Sequence, residues 1–214
     1  MAFTLTGNET LFINPLQANG QPGATLQQTS VQNVASVPPI FGSGTGTFQN
    51  QGNIYRLFTA GTSPASTAAD IVVATYTLPA NSFDISGRTI TFYAAGNFGA
   101  NANNKTCKII VGATTATVGS AIVGGTTLAT TGVSASTSVG WSLTGNLSKY
   151  GAAGSNTQNY QEMSNIVGTV HGGMGMAATT TFAENASIIC AVTINCATTN
   201  TDASLWQFEV NVAN

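Results

Sequence analysis

From Ile71 to the C-terminus the chain is written in short β-branched runs cut by turn residues, and no segment carries a helical stripe. IVVATYTL (71–78) ends at Pro79-Ala80-Asn81. TITFYAA (89–95) and TCKIIV (106–111) follow, then Thr/Val-rich stretches at 113–118 and 125–131. Val139, Trp141 and Leu143 alternate with Gly140 and Ser142, the period-two pattern of a half-buried strand. AATTTFA (177–183) reads as another strand. SIICAVTIN (187–195) is apolar on both faces and reads as a central one. The last run is the clearest: Trp206, Phe208, Val210 and Val212 point one way, and Gln207, Glu209 and Asn211 the other. Roughly eight strands in about 145 residues, with turn chemistry between them, predict an all-β fold. The expected architecture is an antiparallel β-sandwich of the jelly-roll kind.

The N-terminal stretch is different. From Thr10 to Tyr55 there is no charged side chain, and turn signals recur at Asn19-Gly20, Pro22-Gly23 and Pro38-Pro39. Yet it carries Phe3, Leu5, Leu11, Phe12, Ile13, Val31, Val34, Ile40 and Phe41, with no helical or strand period to organise them. So much apolar surface is out of place in a solvated tether. Two readings fit: an extended arm that lies against a partner, or a segment packed on its own domain. The first is taken as the expectation. It gives an arm at 1–60, a small polar linker at 61–69 and the sandwich at 70–214, with the apolar residues named above as the contact set.

Charge narrows function. The chain has 214 residues, five Lys and Arg, seven Asp and Glu and one His, so only 6% is charged, against about a quarter in ordinary domains. So few cations cannot coat a phosphate backbone, which argues against nucleic-acid binding. No apolar run is long enough for a membrane-spanning helix, and MAFTLTGNET lacks the basic and apolar regions of a secretory signal. From Ile109 to Ser148 no charge occurs at all. Exposed edge strands normally carry Lys or Glu against unwanted pairing, so this stretch suits contact with another subunit. Arg56, Arg88, Lys105 and Lys108 read as a solvated rim, and Glu209 as a solvated residue on the last strand.

Catalytic chemistry is thinly supplied. His171, in VHGGMG, has no G-x-S-x-G elbow to serve and reads as a turn or packing residue. A glycosidase needs two carboxylates in one groove, and nothing local marks a pair among the acids. There is no C-x-x-C, His pair, calcium loop or phosphate loop. No catalytic, metal or cofactor residue is assigned, and no enzymatic activity is expected. Cys107, Cys190 and Cys196 are an odd set. Six residues of strand span about 20 Å, so Cys190 and Cys196 could pair only if the chain turned back between them. Buried free thiols are the expectation.

One segment resembles a known group. ATYTLPANSFDISGRTITFYAAGNFGANANNKTCKIIVG (74–112) is similar to a stretch found in tailed-bacteriophage virion proteins: decoration (cement) proteins, head fibres and tail fibres. The resemblance runs through YTLPAN (76–81), Gly87-Arg88 and NANNKT (101–106), with Phe83 and Cys107 departing from the usual core residues. It implies a jelly-roll or related sandwich that commonly trimerises. The expected function is capsid decoration: a homotrimer made in the host cytoplasm, bound to the outside of the head and stabilising contacts between major capsid protein subunits. The alternative is a tail-fibre or receptor-binding tip that recognises host glycan by stacking on Tyr93, Trp141 or Tyr160.

Overall fold

The structure is a computed structural model and describes residues 52–59, 61–62, 67–167, 169–170, 176–196 and 202–213. These residues contain no helix. The strands are β1 (Gly52–Leu57), β2 (Gly61–Thr62), β3 (Thr67–Leu78), β4 (Thr89–Phe98), β5 (Lys105–Thr115), β6 (Val123–Thr130), β7 (Gly140–Lys149), β8 (Gln158–Ile166), β9 (Thr169–Val170), β10 (Met176–Thr180), β11 (Ile188–Cys196) and β12 (Ala203–Ala213). They form two antiparallel sheets. The larger runs β1-β12-β4-β7-β8-β10, with β2 on β12 and β9 on β8; the smaller runs β3-β11-β5-β6.

The order has a simple logic. Set aside β2 and the insert β8–β10, and eight strands remain. The first pairs with the last (β1 with β12), the second with the seventh (β3 with β11), the third with the sixth (β4 with β7) and the fourth with the fifth (β5 with β6). A long antiparallel hairpin wrapped over itself gives this nesting, and the wrap adds the β12–β4 and β11–β5 pairs. This is the jelly roll expected from the strand pattern. The insert then widens the larger sheet beyond β7.

The core lies between the sheets. Strict alternation on β7 sends Trp141, Leu143 and Leu147 inward and Ser142, Thr144 and Asn146 outward. Phe92, Phe98, Phe208, Val210 and Leu205 fill the larger sheet's inner face, and Ile109, Val111, Val192 and Ile194 the smaller one's. Tyr55 on β1 and Tyr76 on β3 stack across the gap at 4.7 Å between ring centroids. β11, flanked on both sides, has Ala191 and Thr193 buried as well as Cys190 and Val192, as its two apolar faces required. The three cysteines are buried thiols outside any disulfide. The backbone of 119–122 pairs along the outer edge of β3: Val72 donates to Ser120, Gly119 to Val72 and Ile122 to Asp70. An edge that would otherwise be open to pairing is thus covered by the β5–β6 connection.

Several expectations change. The stretches at 106–111 and 113–118 are not two strands; β5 runs unbroken from Lys105 to Thr115. It passes through Gly112, whose φ is 74° and where a Cβ would overlap the Phe182 ring. β1 and β8 had no visible signal. Gly52–Leu57 falls in the segment read as arm, yet it is an edge strand paired with β12. Gly61–Thr62 also pairs with β12, and the linker's last residues begin β3. Residues 1–51, with Phe3, Leu5, Leu11, Phe12, Ile13, Val31, Val34, Ile40 and Phe41, lie outside the described residues. On β12, Trp206 does not share the core face of Phe208. The register with β4 shifts between Leu205 and Gln207, and the extra residue leaves Leu205 buried and Trp206 exposed.

Candidate binding face

Five charged residues, Arg88, Lys105, Lys149, Glu184 and Asp202, are buried inside the fold. Arg88 is fully buried, donating to the Ser82 carbonyl at 3.1 Å and pairing with Asp84. Lys105, also buried, donates to the Asn101 carbonyl at 2.7 Å and lies 5.5 Å from the centroid of the Phe98 ring. Burial lowers its pKa, against the opposing pull of Asp202. Asp202 accepts from Asn101 at 2.7 Å and Asn103 at 3.1 Å, tying the β4–β5 loop to the start of β12. Lys108 pairs with Asp70 at 2.7 Å. Arg56 pairs with Glu209 at 2.8 Å across β1 and β12. The solvated rim expected from sequence is therefore absent for Arg88 and Lys105, and Glu209 is engaged.

Lys149 anchors the densest network. Glu184 Oε1 accepts from Lys149 Nζ at 2.5 Å, Gln158 Nε2 at 2.6 Å and the Thr157 amide at 3.2 Å; Oε2 accepts from the Gly154 amide at 2.8 Å. Lys149 Nζ also donates to Ser155 and Thr157 hydroxyls. The Asn81 amide donates to the Glu184 carbonyl. The β7–β8 turn, the link before β11 and the turn after β3 are stitched together by one buried pair with nearly every polar site occupied. Such a pair is retained only when its remaining lone pairs and protons are met.

What is left outside carries little unpaired charge. On the outer face of the larger sheet the register aligns Asn53, Asn211, Thr91, Asn146 and Gln161 across β1, β12, β4, β7 and β8. Asn53 donates to Asn211 at 3.2 Å and Thr91 to Asn146 at 2.8 Å. The next row reads Arg56, Glu209, Tyr93, Thr144 and Met163. A shallow depression of about 80 Å³ is lined by Thr144, Asn146, Gln161, Glu162 and Met163. Glu162 is the exception to the pairing rule. It stands opposite Gly145, and burial raises its carboxyl pKa.

The residues singled out from sequence are placed as follows. Trp141 is buried and stacks near Phe98, and Tyr160 packs on the core, so they form no platform with Tyr93. His171 lies outside the described residues. Among the described residues no group of three or more His, Cys, Asp or Glu could hold a metal ion. The polar residues that carry the phage-like resemblance, Arg88, Asn101, Asn103 and Lys105, are staples of the fold. Sequence reasoning missed two exposed aromatics, Phe58 just after β1 and Trp206 on β12. A one-residue slip in the alternation, Leu205 lying three positions before Phe208, is the one signal that could have shown the latter.

Jelly-roll sandwich is the class that strand order and core define. No protein-family model matches the chain, and no curated protein matches it in sequence.

Proposed function

We propose that the chain is a capsid decoration protein of a tailed phage. It sits as a homotrimer on the outside of the head and stabilises contacts between major capsid subunits. The observation that carries this reading is the internal use of charge. Every described Lys and Arg is engaged by its own chain, and the large sheet presents amides and hydroxyls to the outside. Such a surface exerts little long-range attraction or repulsion. It suits close packing against like copies, where an unpaired charge would be costly to desolvate. The jelly roll and the resemblance over 74–112 support the same reading.

Attachment is assigned to the apolar residues that precede β1. Deletion has to stop before Gly52, because β1 is a strand of the sandwich. A chain lacking 1–50 is expected to stay folded and trimeric but to leave purified heads in a sedimentation assay. Retained binding would remove the arm's role. Copy number tests the location: on the order of hundreds per particle fits a symmetric shell, whereas a few copies would assign the protein to the tail.

A further inference from the structure

We propose that the β1–β12 corner around Trp206 is a binding site for an uncharged sugar. The bulge between Leu205 and Gln207 interrupts the ladder with β4, and its effect is to leave Trp206 57% exposed. Bulges re-aim side chains at the expense of regular pairing. Phe58 follows Leu57, the partner of Phe208, and is 60% exposed. The Arg56 guanidinium lies over the Phe58 ring, 5.1 Å from its centroid.

A row of planar polar groups runs beside the Phe58 ring, on the outer face that Trp206 also shares. Glu209 Oε1 accepts from Arg56 Nε at 2.8 Å and from Gln207 Nε2 at 2.9 Å. Within this row the second Glu209 oxygen and the Gln207 carbonyl oxygen accept no hydrogen bond, and the terminal Arg56 nitrogens donate none. They form acceptors and donors held in position by the bonds already made. A sugar ring presents an apolar C–H face and a rim of hydroxyls that both donate and accept. Aromatic faces suit the first and fixed planar groups the second.

The charge balance selects the ligand. Arg56 and Glu209 cancel, so no net field favours an anion. The neighbouring outer positions, Ala95 and Ser142 in the row of Gln207 and Asn97 in the next, are small or polar. A protein partner would call for a broader apolar patch. The site is independent of where on a virion the chain sits.

The test is saturation-transfer NMR on the full chain with methyl glycosides of glucose, galactose, mannose and N-acetylglucosamine, and with glucuronate as the charged control. At least one neutral glycoside at millimolar concentration is expected to take up saturation in preference to glucuronate. Trp206→Ala should abolish transfer, and Trp206→Phe and Glu209→Gln should weaken binding about tenfold. Tyr150→Ala, at an exposed ring elsewhere, should change nothing. No transfer from any neutral glycoside, or transfer that survives Trp206→Ala, overturns the proposal. So does protection of Trp206 from a fluorescence quencher that rises only with protein concentration, which would make the corner an interface between copies.

Discussion

At the scale of single residues, the molecule shows what a few charges do when nearly all are paired within one chain. Lys149 and Glu184 are buried together, so removing one leaves the other without its counter-ion. Lys149→Met is expected to cost about 3–5 kcal/mol of stability by denaturant unfolding. The double variant Lys149→Met with Glu184→Leu should recover part of that loss, since no buried charge remains. A loss in the double variant equal to or larger than that in the single one would show that the bonds Glu184 makes to Gln158, Thr157 and Gly154, and not the stranded charge, carry the cost. Glu162 gives the opposite case. Its carboxyl pKa is raised by burial, so the folded chain keeps a proton that the unfolded chain releases between the two pKa values. Stability from this group therefore falls as pH rises through that window and stays lower above it. Glu162→Gln should raise the melting temperature at neutral pH, and the gain should vanish below the ordinary carboxylate range. An equal gain at both pH values would show packing, not ionisation, to be the cause.

At the scale of elements, β12 is the most informative strand. The alternation of Phe208, Val210 and Val212 is sound, but extending it back to Trp206 fails because the ladder with β4 takes up an extra residue there. Leu205 opposes Gly96 and Gln207 opposes Ala95, so deleting Trp206 should close the bulge and leave the core register intact. The shortened chain is expected to melt within a few degrees of the parent and to lose the exposed indole's fluorescence. A large loss of stability would mean that the bulge sets the strand's twist. β8 escaped the sequence reading for another reason. QNYQEMSNI has little apolar alternation, because its inward positions include Gln158 and Ser164, which are buried beside the polar network and near the sheet end. Its strand state is imposed by pairing with β7 along its whole length. β1 was hidden by composition: its neighbours are polar and turn-rich, and only its place beside β12 makes it a strand.

At the scale of the whole molecule, the nested hairpin makes every strand of the smaller sheet depend on the same core. Cys107 on β5 and Cys190 on β11 are held as protonated thiols, their pKa values raised by burial. Cys196 is buried on β11 with them. All three should resist a disulfide-exchange reagent at neutral pH and become reactive together when the sandwich opens, at one shared rate. Distinct rates would show that β5 and β11 separate before global unfolding.

The sequence by itself determined the fold class. Period-two alternation on β7 and β12, the two-faced apolar run of β11 and the turn residues between runs allow little but a two-layer antiparallel sandwich. It also determined that charge would be scarce on the surface, since there was little to place there. Only the tertiary structure decided where that charge went, because a buried Lys149 is tolerable solely when a distant segment brings it the Glu184 carboxylate. The same holds for Trp206. Its outward turn follows from how β12 registers against β4, a long-range fact of which the sequence carries only the slipped spacing between Leu205 and Phe208.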